Sequence, residues 1–383
     1  MKYSTDRILT THAGALPQPA DLKQMHNARI NGVPVDDVKF GKRVREACAE
    51  VVKKQISCGI DIINDGEVGK SNFSRYARER LTGFIEREVK ASDQASTIYA
   101  RDMVEFGDYF HNRTYHRGDN IKRVFCNAPL KYVGQEPLKA ELEDFKGALR
   151  GEKYEEAFLP AIAPGTIEHW MKNDYYPSDE TYLIAIADAM HEEYKAIVDA
   201  GFLLQIDDPD LPDGWQFMSK MSVPEYRRYA ELRVDALNHG LRDLPPDRVR
   251  FHTCWGSYHG PHKYDIPLRD IVDLILKVKA NTISIEAANP RHEHEWRVWQ
   301  DVKLPAGKVL VPGVVGHATD IVEHPQAIAD RLVRYGKIVG RENVMAGTDC
   351  GLGPRVGDPQ IVWAKFEAMA EGARLATKEL WGK

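Results

Sequence analysis

Eight short β-rich runs, each ending in a polar, Gly-rich or Pro-rich elbow and separated from the next mostly by residues of helical period, constrain this chain more than any other feature. They cover residues 8–11, 61–64, 158–162, 202–206, 249–252, 282–285, 309–311 and 344–347. Residues 178–200 show what lies between them: they open on Ser178-Asp179-Glu180, repeat apolar side chains at Ile186, Met190, Tyr194 and Ile197, and close on Gly201. That order suits an N-cap followed by a left-handed C-cap. Helical period also runs through 223–238, 265–279, 325–339 and 358–376. Alternating β and α units imply a parallel sheet joined by right-handed crossovers, and eight is the number that closes a barrel. The expected fold is of the α/β class, a (β/α)8 TIM barrel spanning residues 1–383 as a single domain.

Residues 70–150 are too long for one crossover helix and are read as an excursion over the barrel mouth. A hairpin is expected there, with strands at 124–126 and 130–133 and Asn127-Ala128-Pro129 at its turn. With 52 Lys+Arg against 57 Asp+Glu the net charge is −5, and no basic stripe is present, which argues against a nucleic-acid partner. No run approaches the ~18 apolar residues of a membrane helix. Met1 to Thr11 lacks the basic and apolar regions of a signal peptide, so a cytoplasmic enzyme is expected. The five cysteines are scattered and odd in number, unlike a secreted disulfide framework, so a special cysteine would be a metal ligand or a nucleophile.

Barrel enzymes place their chemistry at the C-terminal ends of the strands. His252 and Cys254 end the fifth run, Glu286 ends the sixth and Cys350 follows the eighth. Taken singly, each has an ordinary reading as a core cysteine or a salt-bridge carboxylate. Together they offer N, S, O and S donors to one axis, a set that suits Zn2+ and not magnesium or calcium. Three anionic ligands and one imidazole leave the ion at a formal −1. Such a site activates water poorly but suits exchange of the carboxylate for an incoming thiol, which points to S-alkylation. A four-ligand set also fits a binding protein with structural zinc, and that alternative stays open.

His252-Thr253-Cys254, Ser284-Ile285-Glu286 and the run from Gly347 to Leu352 resemble the zinc motifs of the cobalamin-independent methionine synthase family, and the resemblance extends over nearly the whole chain. It implies a catalytic barrel in which His252, Cys254, Glu286 and Cys350 hold zinc and a small-molecule thiol, homocysteine, accepts a methyl group. It also implies that Glu67 and Asp207 pair with the ammonium group of the substrate. His317, after the seventh run, would donate a proton, with His324 as the competing match. The substrate-contacting Gly-Ser pair of the family reads Gly14-Ala15 here, so the hydroxyl at Ala15 is absent. The opening residues 8–16 and residues 313–325 are also similar to epoxyalkane:coenzyme M transferase, which opens an epoxide with a thiolate and would need anion contacts such as Arg291 or Lys70. The alkyl donor implied is a methyl-folate, an epoxide or a methylcorrinoid protein. His259, His262, His292 and His294 fall in polar loops and read as solvated, and Trp255, Trp296 and Trp299 read as pocket walls or loop packing.

Overall fold

In the computed structural model, residues 1–73, 75–90, 100–112 and 120–382 are described. Ten strands are named in chain order: β1 (Ile62–Ile63), β2 (Phe84–Lys90), β3 (Asn120–Cys126), β4 (Glu156–Ile162), β5 (Met171–Asn173), β6 (Leu203–Asp207), β7 (Val249–His252), β8 (Thr282–Ile285), β9 (Val309–Val315) and β10 (Gly347–Thr348). Seven form one parallel sheet in the order β1-β4-β6-β7-β8-β9-β10. Helices cover its outer face, so its strands are buried on both sides and read as nearly continuous apolar runs. The inner face packs Leu9, Ile62, Phe158, Leu203, Val309, Val311 and Met345 against one another. The fold is thus α/β with a curled, TIM-barrel-like sheet.

The expected first strand is not a strand of this sheet. Residues 8–11 contribute one isolated bridge, Thr10 to Ala346, because their donors are diverted to side chains. Ile8 N–H donates to Thr377 Oγ1, Leu9 N–H to Ser4 Oγ and Thr10 N–H to the Asp61 carboxylate. The segment still joins the two sheet edges: Thr10 O accepts from Asp61 and Ile62, while Thr11 N–H and Leu9 O bond to Ala346.

The expected hairpin is also corrected. The antiparallel partner of β3 is β2, in register from Phe84 opposite Cys126 to Lys90 opposite Asn120, and β5 pairs with β3 in parallel. Residues 130–133 supply only a bridge from Tyr132 to Leu81. The sequence reading passed over the β-forming run at 84–90, so it matched 124–126 to the wrong neighbour. Residues 91–99 and 113–119 of the expected excursion lie outside the described residues. Between them, two short helices, Ala100–Glu105 and Gly107–Asn112, rest on the loops after β6 and β7. Arg101 donates to the carbonyls of Trp215, Met218 and Met221, and Tyr109 Oη donates to His259 O. No helix among the described residues is long and apolar enough to cross a membrane.

Two buried polar side chains inside the sheet set the position of the segment after Thr10. Arg250 donates to Thr11 Oγ1 and His12 O and lies 3.9 Å over the Phe158 ring. Gln205 Nε2 donates to Ala13 O at 2.6 Å and to Asp207 Oδ1 at 2.8 Å. Residues 11–15 are thereby held against the ends of β6 and β7.

Candidate metal centre

Side chains two residues apart on an extended segment share a side, and the end of β7 uses this to present His252 and Cys254 together. Thr253 N–H donates to Ser284 O, and its hydroxyl donates to Asp208 O, so the elbow is pinned to β8 and β6. Cys350 comes from the elbow after β10, where the Thr348 hydroxyl accepts from Ala13 N–H and donates to Cys350 O. The ligand atoms of His252, Cys254 and Cys350 all lie within 4.8 Å of one another, with the two sulfurs 3.6 Å apart and both thiols free. Cys254 donates to Cys350, and that hydrogen bond, outweighing burial, holds the Cys350 thiol well below its ordinary range while Cys254 is pushed up.

Glu286 sits outside that group of three but next to it. Asp349 Oδ1 accepts from the N–H groups of Ala287 and Ala288, tying the Glu286 elbow to the Cys350 elbow. Glu286 Oε2 accepts from Asn289, whereas Oε1 is buried without a partner, and so is His252 Nε2. Burial, followed by the neighbouring Asp349, pushes the Glu286 pKa well up. Two unpartnered buried polar atoms beside a close cysteine pair fit a site made for a cation. The imidazole, thiolate and carboxylate donors suit zinc.

The three converging residues line a cavity of about 390 Å³ that also holds Ala13, Ala15, Glu67 and Asp207. Glu67 is mostly buried, and its φ of 56° is left-handed, a costly conformation for a residue with a side chain. Gly14, at φ 132°, approaches so closely that a Cβ there would lie 2.6 Å from Glu67 Oε1. Burial pushes the pKa of Glu67 up, and it raises Asp207 to about 8 with Glu67 and Cys350 adding their negative charge. Both carboxyl groups are raised by burial, Glu67 in spite of the nearby Lys70 ammonium, and a further positive group in the cavity would favour their ionised form. The cavity's tryptophan is Trp170, and two further buried carboxylates, Asp210 and Asp213, reach it. The sequence reading missed all three. Asp213, six residues past Asp207 on the helix Asp210–Phe217, was the available signal.

His317 is 1% exposed, has both ring nitrogens unpartnered and lines a second cavity of about 600 Å³ with Arg291, Glu323 and Asp349. Burial lowers its pKa to about 4. His324 caps the helix Pro325–Val339 by accepting from Gln326 N–H, which accounts for it as a structural residue. Lys70 is no anion contact at the mouth. It is buried, donates to Pro160 O and pairs with Glu141 at 3.4 Å. Arg291 is exposed and donates to Lys263 O.

His259 and His294 are exposed, as expected, but His262 and His292 are not solvated. They form a buried chain in which Asp265 Oδ2 bridges His262 Nδ1 at 2.7 Å and His292 Nε2 at 3.1 Å, and His292 Nδ1 reaches Glu295 at 2.9 Å. Trp255 stacks on His292 at 4.1 Å, so it packs this chain and is no wall of the cavity. Burial alone would lower the His292 pKa, but its bonds to Asp265 and Glu295 prevail and raise it to about 10. The unfolded chain loses that proton near pH ~6.5. The resulting stability is therefore fully present below about pH 6.5 and is lost as pH rises through about 10. Urea titrations should show the unfolding free energy of the native protein declining across that window and a flatter profile for His292→Gln. Equal slopes would place the titrating group elsewhere.

A family model described as the catalytic domain of cobalamin-independent synthase matches residues 8–116 and 162–374. The methionine synthase of Thermococcus kodakarensis is 26% identical over 97% of this chain and 94% of its own length. The chloroplastic 5-methyltetrahydropteroyltriglutamate–homocysteine methyltransferase 3 of Arabidopsis thaliana is 23% identical over 99% of this chain but only 41% of its own. In fold, a B12-independent methionine synthase from Shewanella sp. W3-18-1 superposes with a TM-score of 0.71 at 20% identity, covering 98% of this chain and all of that one. These relatives lend no support to the epoxyalkane transferase comparison or to a methylcorrinoid partner. The match runs through every elbow that supplies His252, Cys254, Glu286 and Cys350, and the chain belongs to the cobalamin-independent synthase family through its catalytic domain.

Proposed function

We propose that this protein is a zinc-dependent methyltransferase that methylates the thiol of homocysteine, with a small-molecule donor of the methyltetrahydropteroylglutamate class named in its plant relatives. The observation that carries this reading is the convergence of His252, Cys254 and Cys350 within 4.8 Å at a cavity that also presents Glu67 and Asp207. His252, Cys254 and Cys350 would hold zinc, with Glu286 as the fourth, displaceable donor. Zinc, when bound, lowers the pKa of an incoming thiol so that it is a nucleophile at neutral pH. Glu67 and Asp207 hold the substrate ammonium, which supplies the positive charge their burial demands. The substrate is thereby fixed by its amino-acid end and its sulfur is aimed at the cysteine pair, so positioning makes up much of the rate gain. Ala15 contributes backbone and a methyl group to that pocket. His317, held neutral by burial, would relay the proton released by the incoming thiol to the departing donor, which gains the electron pair of the broken bond to the methyl group.

A structural-zinc reading is disfavoured because three of the four donors face a cavity instead of being closed off by protein. Purified protein should carry about one zinc per chain, and zinc-edge X-ray absorption should gain one sulfur neighbour on addition of homocysteine. A spectrum unmoved by homocysteine would rule out this acceptor.

A further inference from the structure

The cavity beside the cysteines is lined on one side by buried carboxyl groups. Glu67, Asp207, Asp210 and Asp213 line it, each about nine-tenths buried or more, and Asp213 Oδ1 has no partner. Arg355 is the lining residue with a permanent positive charge. It is exposed at the rim, and the described residues give its guanidinium no ion pair or hydrogen bond.

The turn that carries Arg355 is seated on the backbone of Ala15 and Leu16. Gly353 N–H donates to Ala15 O at 3.0 Å. A Cβ at Gly353 would fall 2.5 Å from the Leu16 carbonyl carbon, and one at Gly351 would fall 3.1 Å from Ala15 Cβ. Gly353 permits that approach, and it brings Arg355 to the cavity that Ala15 and Glu67 also line.

An α-amino acid presents an ammonium and a carboxylate on one carbon. Where Glu67 and Asp207 take the ammonium, the substrate carboxylate is left beside the further buried carboxyl groups of Asp210 and Asp213, and Arg355 is the lining cation that can meet it. We infer that Arg355 binds the α-carboxylate of the acceptor, through the planar, two-donor pairing that guanidinium and carboxylate favour, and so selects thiols that carry one. This deepens the homocysteine reading above and rests on it.

The test is calorimetric titration of the zinc-loaded full chain with L-homocysteine and with 3-aminopropanethiol, which is homocysteine without its carboxylate. Arg355→Gln should weaken homocysteine binding by about 10- to 100-fold, the usual cost of a hydrogen-bonded charge pair. It should leave 3-aminopropanethiol within about twofold, which also shows that the variant is folded, and Arg355→Lys should fall between wild type and Arg355→Gln. Unchanged homocysteine affinity in Arg355→Gln, or equal weakening of both thiols, would overturn the assignment of Arg355 alone. No homocysteine binding by the wild type would overturn the acceptor reading and this inference with it.

Discussion

Cys254→Ser should lose zinc and turnover together while keeping its fold. A serine hydroxyl is not ionised at neutral pH, so the substitution removes an anionic donor and leaves Cys350, His252 and Glu286 an incomplete set. Losing a partner that merely orients a ligand costs about 10- to 100-fold in metal affinity, so removal of a donor should cost at least ~100-fold. Competition with a chromophoric chelator measures this directly. The fold should survive because Cys254 follows β7, whose ladder to β6 and β8 runs through Arg250, Phe251 and His252. The melting temperature compared in chelator, with zinc removed from both proteins, should therefore differ by only a few degrees. Full metal content in Cys254→Ser would refute its place among the ligands.

The largest stability effect is expected from Lys365→Met. Lys365 lies on the helix Pro359–Trp381, is fully buried, and its ammonium donates to the carbonyls of Gly316 and Ile321 and to both oxygens of Glu323. Glu323 Oε1 in turn accepts from Gly316 N–H at 2.8 Å. Methionine fills the space but leaves a partly buried carboxylate without its cation and two carbonyls without their donor, at a cost of about 3 kcal/mol. Glu323→Gln added to Lys365→Met should recover a large part of that loss, because the stranded charge is then gone. The same cluster anchors the loop that bears His317, so turnover should fall even at temperatures where Lys365→Met is folded. Denaturant unfolding within about 1 kcal/mol of wild type would show that water reaches the site and relieves the charge.

Much of this molecule was legible along the chain. The elbows after β7, β8 and β10 combine short apolar runs with metal-capable residues, and a parallel strand must deliver what ends it to one rim of the sheet. Chain order alone thus placed His252, Cys254, Glu286 and Cys350 near each other. The misreadings share a cause. Residues 8–11 look like any other strand, yet their donors go to Ser4, Asp61 and Thr377, two of them far away in sequence. The run at 84–90 alternates like a strand, but its partner begins only at Asn120, so no short turn joins the two.

Charge was hardest to read, since whether a polar side chain is solvated depends on what folds over it. His262 and His292 occur in segments rich in Gly, Pro and charged residues, which locally mean loop. Asp265, Glu295 and the ring of Trp255 close around them and turn them into a buried ionic chain. Lys70 was drawn inward by Glu141, and His324 was used up as a helix cap. The sequence by itself determined the order of the seven parallel strands and the donor types at their ends, because hydrophobic period and residue chemistry are local properties. Tertiary structure alone decided which charges are buried, paired or left facing the cavity, because desolvation and Coulomb energy depend on distances between residues that the chain does not place side by side.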